Sequence, residues 1–222
     1  MKNILEIRGL NFAYPGREPV LKGADLRLAA GEKLGLTGDN GSGKTTFLRL
    51  VSGLEKPASG TIFYRGAPLA CEADFRASRP KLGYVLQDAR EQLFFPEVID
   101  DVAFGPLNLG RSASQARQDA LEALEMLGIG HLADKLSIRL SGGERKLVAI
   151  ASVLSMKPEA LLLDEPTNAL DAKARARIVG ILAELPVAAI VVSHDAELLR
   201  ATCTRFLKLA GGKFEEVGSD AL

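Results

Sequence analysis

At 222 residues, with 47% apolar and 25% charged side chains, the chain can bury a sizeable core as one folded unit. Lysine plus arginine equals aspartate plus glutamate at 28 each, which excludes the global basic field that nucleic-acid binding uses. Cys71 and Cys203 are the two cysteines, far apart and without metal-ligand spacing; they read as reduced thiols of a cytosolic protein and exclude a disulfide framework.

The N-terminus enters LEIRGL directly, so no secretory leader is expected. Short strand-like runs follow at Ile4–Ile7, Leu26–Leu28, Leu34–Thr37 and Thr61–Tyr64, punctuated by turns at Pro15–Gly16, Ala30–Gly31 and Ser59–Gly60. They read as a mixed sheet edge leading into the strand before a glycine loop. Leu82–Leu86 is the next strand. Helical patterns occupy Glu97–Asn108 and Ser114–Leu127, the second with Ala120, Leu121, Leu124 and Leu127 on one side, and a third helix follows Ser141–Gly142–Gly143. Strand and helix then alternate: Ala160–Leu163, Ala172–Leu185, Val187–Val192, Asp195–Ala201. That order predicts a parallel α/β core, residues 1–87 and 158–222, interrupted by a helical insert at 88–157. The longest apolar stretch, Pro186–Val192, is strand-sized and too short to span a membrane.

The segment Gly38–Thr46, GDNGSGKTT, carries the first chemistry. Gly41 and Gly43 let backbone amides wrap phosphate oxygens, and a helix starting near Gly43 points its free N–H groups and positive dipole end at the anion. Lys44 reaches the outer phosphates of a nucleotide, and the Thr45 hydroxyl is a Mg²⁺ ligand. Gly38, Asn40, Ser42 and Thr46 complete the candidate nucleotide contacts. A flexible Gly/Ser turn is the bland alternative, but an apolar run precedes this loop and a helix-compatible run follows it.

A second constellation is ALLLDE, Ala160–Glu165, an apolar strand ending in two carboxylates. Ligands of open parallel sheets sit at the carboxyl ends of strands, so these acids are expected to face the phosphate loop. Asp164 is placed to orient Mg²⁺ through a water, and Glu165 to polarise the attacking water as a general base. In LSGGE, Ser141 and Glu144 match a capping box, while the glycines free a helix N-terminus for an anion. Both readings hold together.

LSGGE, LLLDEPTNALD and VVSHD, in that order after GDNGSGKTT, resemble the ATP-binding-cassette (ABC) ATPase subunit over essentially the whole chain. The resemblance implies a P-loop NTPase fold, with a RecA-like α/β core, an antiparallel β edge and an inserted helical subdomain. It also implies two cassettes closing head to tail as a homodimer, with Ser141, Gly142 and Gly143 completing the opposite ATP site. Tyr14 would stack on adenine, or else be a turn tyrosine beside Pro15–Gly16. Gln87 would sense Mg²⁺ and the attacking water, Asp171 would bridge to the opposite cassette, and His194 would contact the γ-phosphate. His131 has no such context and reads as a surface or packing residue.

Gln92–Gly110, QLFFPEVIDDVAFGPLNLG, and AIASVLSM at Ala149–Met156 resemble the energy-coupling-factor branch of importers. That branch uses a transmembrane coupling subunit and a separate substrate-capturing membrane protein, and it implies a place on the cytoplasmic face of the membrane. Phe94, Phe95 and Phe104 then form a groove for a partner helix, with Asp100 and Asp101 pairing its arginines; the alternative is that the phenylalanines pack the helical subdomain. The branch carries cobalt, nickel or vitamins, and the compact chain favours the metal ions.

Three departures stand out: Glu144 where the wider family most often has Gln, Leu147 where many members carry Arg, and an end soon after Gly211–Val217. The last suggests a dimer that depends on nucleotide and membrane partner. A competing function is a non-transport cassette acting on ribosomes or nucleic acid, which DEPTNALD mildly encourages. The zero net charge and the Gln92–Pro106 segment argue against it. A small-molecule kinase does not account for LSGGE.

Overall fold

The computed structural model describes residues 3–222. The chain opens with β1 (Asn3–Phe12) and β2 (Leu21–Ala29), then β3 (Lys33–Thr37), α1 (Lys44–Val51), β4 (Ser59–Tyr64), β5 (Ala67–Pro68), α2 (Glu72–Ser78) and β6 (Leu82–Val85). Three helices follow: α3 (Val98–Asn108), α4 (Ala113–Met126) and α5 (Gly142–Leu154). Alternation resumes with β7 (Ala160–Asp164), α6 (Ala172–Glu184), β8 (Ala188–Val192) and α7 (Ala196–Thr202), and a hairpin closes the chain with β9 (Arg205–Ala210) and β10 (Lys213–Val217).

Of the early strands, β3 joins the main sheet, but β1, β2 and β4 with β5 do not edge it, as the sequence suggested. They form their own four-stranded antiparallel sheet in the order β2-β1-β4-β5. The second sheet has six strands, β10-β9-β3-β8-β7-β6, parallel from β9 through β6. A bond from Lys22 N–H to the Gly212 carbonyl, 2.8 Å, joins β2 to the hairpin turn. β1 is longer than expected because bulges near Gly9 and Asn11 let it bend and continue pairing.

Side chains of the parallel strands alternate between two cores, as the period of two requires. Ala160 and Leu162 of β7, with Ile190 and Val192 of β8, pack towards Phe47, Leu48 and the antiparallel sheet. Leu161, Leu163, Ala189 and Val191 pack towards α3–α7. Both layers are closely packed apolar clusters, so the parallel sheet between them is a firm platform. β3, β6, β7 and β8 all run the same way, so the loops after Thr37, Val85, Asp164 and Val192 emerge along one edge.

In α4 the buried face is Ala116, Ala120, Ala123 and Leu124, with Leu127 just beyond; Leu121, expected on that face, is exposed. It sits one residue, about 100°, past Ala120 and so turns to solvent. α2 and the β9–β10 hairpin were not expected from sequence. α2 buries only Ser78, so it has no periodic signal. The hairpin did have one: Gly211 and Gly212, at φ 56° and 83°, supply the paired positive-φ turn between alternating runs. Among the described residues, no helix is long and apolar enough to cross a membrane.

Candidate active site

The loops at the carboxyl edge enclose a cavity of about 890 Å³. Asn40, Gly41 and Gly43–Thr46 line one wall, Tyr14 and Val20 another, and Gln87, Asp164, Glu165 and His194 the far side. The expected phosphate loop, strand-end carboxylates and histidine therefore meet in one place.

Gly43 has a left-handed backbone, φ 108°, and a Cβ there would fall 2.1 Å from Val20 Cγ1. Only glycine allows the loop to close against β2 and deliver α1 with its first-turn amides free. Gly38, at φ 144°, lies against the Leu209 carbonyl, where a Cβ would come to 2.6 Å. Ser42 Oγ is buried without a hydrogen-bond partner. An orphaned hydroxyl beside free amides fits a ligand rich in acceptor oxygens, which a polyphosphate is.

Lys44 is buried, and its ammonium donates to the Gly38 carbonyl at 2.7 Å and to that of Asp39 at 3.0 Å. Burial lowers its pKa, while Glu165, Asp164 and Asp39 pull it back up. Thr45 Oγ1 donates to Asp164 Oδ1 at 3.2 Å, and Tyr84 OH donates to Asp164 Oδ2 at 3.2 Å. Burial raises the Asp164 pKa, opposed by those two hydrogen bonds and by Lys146 and Lys44. A hydroxyl and a carboxylate side by side are hard oxygen donors, which suit Mg²⁺. The donor set is small, so a cation here would complete its shell with phosphate oxygens and water.

Glu165 follows β7 in a left-handed conformation, φ 46°, which swings its carboxyl into the cavity. Its Oε2 accepts from Ser193 Oγ at 3.1 Å and from the His194 amide at 3.4 Å. Its Oε1 is buried and has no hydrogen-bond partner, and His194 Nε2 lies 3.5 Å away. Tyr14 is half-buried, held edge-on to Phe12 at 4.9 Å between ring centroids, and its hydroxyl meets Thr46 Oγ1 at 3.2 Å.

The signature residues lie elsewhere. Ser141 Oγ accepts from the Glu144 amide at 3.3 Å and Glu144 Oε2 accepts from the Ser141 amide at 2.7 Å, so the capping box forms. Ser141, Gly143 and Asp171 line a separate cleft of about 200 Å³, and Gly142 is exposed nearby. Asp171 caps α6 by accepting from the Ala174 amide at 2.8 Å. Within one chain these groups do not reach the phosphate loop.

The partner-groove residues divide. Phe94, Phe95 and Phe104 cluster with ring centroids 5.0–5.4 Å apart, and Phe94 is 64% exposed. Asp100 is exposed. Asp101 is not a partner contact: only 5% exposed, it accepts from the Phe94 and Phe95 amides at 2.9 and 3.0 Å and from Ser137 Oγ at 3.1 Å. Its acceptor sites are filled inside the fold. His131 is exposed, as the surface reading had it.

Sequence reasoning missed Ser193, Tyr84 and Lys146. Ser193 precedes the recognised histidine, and Tyr84 faces the cavity edge from β6. Leu147, the departure from the family pattern, is buried in the apolar core, and its neighbour Lys146 makes the polar contact in this region instead. The signal was a lone lysine on the buried face of α5, beside Leu147 and Val148.

The ABC transporter family profile matches residues 21–168. A protein of Nitratidesulfovibrio vulgaris named as an ABC transporter ATP-binding protein is 50% identical, over 94% of this chain and 77% of its own length. The nickel import ATP-binding protein NikO of Rhodobacter capsulatus is 42% identical over 100% of this chain and 91% of its own. The solved structure of cbiO1 from Clostridium perfringens, part of the ABC transporter complex cbiONQ, superposes with a TM-score of 0.89 at 33% identity, covering 100% of this chain and 90% of that one. With phosphate loop, strand-end carboxylates and signature helix all in their expected order, the chain belongs to the ABC transporter family and is an ATP-binding, ATP-hydrolysing cassette.

Proposed function

We propose that the chain is the motor subunit of an energy-coupling-factor importer, working as a homodimer on the cytoplasmic face of the membrane, with cobalt or nickel ions as cargo. The observation that carries this reading is the separation of two half-sites. The phosphate loop, Asp164, Glu165 and His194 share one cavity, whereas Ser141, Gly143 and Asp171 line another cleft of the same chain. Amide donors with no phosphate of their own are complete only when a second copy brings its nucleotide to them.

In that closed pair, Tyr14 stacks on adenine, and the loop Gly38–Thr46 cradles the phosphates with its amides. Lys44 neutralises charge on the outer phosphates. Thr45 Oγ1 and Gln87, with Asp164 acting through a water, would hold Mg²⁺, which when bound polarises the phosphate oxygens as a Lewis acid. Glu165 orients the attacking water and takes its proton, Ser193 and the His194 amide fix the carboxyl, and His194 faces the γ-phosphate. Ser141, Gly142 and Gly143 add their donors from the other chain, so hydrolysis follows closure.

The exposed Phe94 and Phe104 beside Asp100 support docking of a transmembrane coupling subunit, through which a substrate-capturing membrane subunit is served. The similarity to NikO supports nickel, and that to cbiO1 supports assembly with membrane subunits. The chain never touches the cargo in this scheme.

Co-expression with the membrane proteins encoded beside it, followed by reconstitution in proteoliposomes, tests the proposal. ATP-dependent uptake of Co²⁺ or Ni²⁺ that is lost in Glu165→Gln is the expected result. Hydrolysis with vitamin uptake and no metal uptake would overturn the cargo.

A further inference from the structure

We infer that Lys146 is a positioning residue for hydrolysis: its ammonium ties helix α5 to the two backbone segments that present Gln87 and Glu165. This rests on the proposed roles of those two residues.

Lys146 lies in the second turn of α5, the helix whose N-terminus carries Ser141–Gly143, and it is only 6% exposed. Its Nζ donates to the Gln87 carbonyl and to the Glu165 carbonyl, the latter at 3.3 Å. Those carbonyls come from neighbouring strands just past the end of their ladder. β6 and β7 pair from Leu82↔Ala160 to Val85↔Leu163, and then separate towards the cavity. The Glu165 carbonyl already accepts from the Asn168 amide at 3.1 Å, and the Gln87 carbonyl lies beyond the last ladder pair, so the ammonium is a charged donor shared by both segments.

The tether also crosses a gap. Gln87, Arg145, Lys146, Asn168 and Ala169 line a cavity of about 450 Å³ between α5 and the loops at the carboxyl edge. The body of α5 from Leu147 to Ala151 is buried in the core, and beside this cavity Lys146 is its polar link to both flanking loops. A buried ammonium without a carboxylate in salt-bridge range is a poor packing choice beside Leu147 and Val148. Its position makes sense as a transmission contact. When the signature end of α5 engages a second nucleotide, the same helix sets the backbone from which Gln87 and Glu165 project.

Steady-state ATP hydrolysis by the full-length chain tests this, with Lys146→Met, which keeps the length and loses the donors, and Lys146→Arg, which keeps the charge and donors. Lys146→Met is expected to lower kcat at least tenfold with KM for ATP within twofold, and Lys146→Arg to recover most of the loss. If Lys146→Met does not fold, Lys146→Gln, with one neutral donor, is expected to lower kcat by between about threefold and tenfold. A kcat within twofold of wild type in the Met or Gln variant overturns the tether. So does a parallel loss of kcat, ATP affinity and Tm that Arg fails to rescue, since that marks a packing role. Glu165→Gln run alongside separates the two readings: retained turnover there removes the role of Glu165, whereas its loss beside a normal Lys146→Met removes only the tether.

Discussion

His194 Nε2 stands 3.5 Å from Glu165 Oε1, a buried carboxylate oxygen with no hydrogen-bond partner, while the other oxygen of the same carboxyl accepts from Ser193 and the His194 amide. One oxygen is anchored and the other is left without a donor, with the His194 ring beside it. That division is what a group needs if it is to hold its orientation and still receive a proton. Glu165→Gln keeps the shape and the anchor but cannot take the proton. Hydrolysis is expected to fall at least a hundredfold with ATP binding retained, measured by steady-state turnover and equilibrium nucleotide titration. Turnover near wild type would remove the base role.

Glu144 makes a pH prediction. The Ser141 amide and the Lys135 ammonium hold its carboxyl down at about 2, against an ordinary value of 4.5. A carboxyl lowered in the folded state stabilises above its unfolded pKa and loses that contribution as pH falls through the folded one. The window is therefore from about 4.5 down to about 2. Glu144→Gln preserves a capping-box partner, so at pH 7 its Tm should stay within a few degrees of wild type. The Tm advantage of wild type over the variant should shrink as pH falls through that window. A difference that stays flat with pH would show that the carboxylate contributes nothing.

Much of this architecture is legible before any coordinates, and the reasons are local. The phosphate loop, the strand ending in Asp164–Glu165 and the capped helix after Ser141 are each set by short-range rules of glycine, apolar run and cap. What escaped is set by tertiary contact. Nothing in EVIDD separates Asp100 from Asp101; only the fold of residues 94–101 turns one carboxylate to solvent and the other under two amides. Lys146 likewise looks like one more charge in ERK until α5 packs and buries it. The antiparallel β element was expected from the resemblance, but that it forms a sheet of its own was not, because strand composition does not say which neighbours a strand pairs with.

The contrast between Asp100 and Asp101 can be tested directly. Asp101→Ala strands the Phe94 and Phe95 amides and the Ser137 hydroxyl, and should destabilise the protein by about 2–3 kcal/mol. At about 2–4 °C per kcal/mol for a chain of this size, Tm should fall by roughly 5–10 °C. Asp100→Arg should leave Tm and ATP affinity in place while weakening co-purification with the membrane partner. Unchanged co-purification would exclude this face as the coupling surface.

Asp164 should show a conflict between stability and function. Buried at the end of β7, its carboxyl has a pKa above the ordinary 3.8, with burial outweighing Thr45, Tyr84 and the two lysines. The sign is then the reverse of that for Glu144. The nucleotide-free protein carries an electrostatic strain above the raised pKa, which is relieved as pH falls through it towards the unfolded value. Asp164→Asn removes the charge and keeps the size, so it should raise the Tm of nucleotide-free protein at pH 7 by about 3 °C, equivalent to about 1 kcal/mol. That gain should shrink as pH falls through the raised folded value towards the ordinary 3.8, where the carboxyl takes up its proton. Added ATP and Mg²⁺ should reverse the order, because the wild-type carboxylate supports the cation and the amide does not. Differential scanning of both proteins, with and without nucleotide, reads all of these shifts. A variant less stable than wild type at pH 7 without nucleotide would mean that Thr45, Tyr84 and the lysines more than offset the burial of this charge.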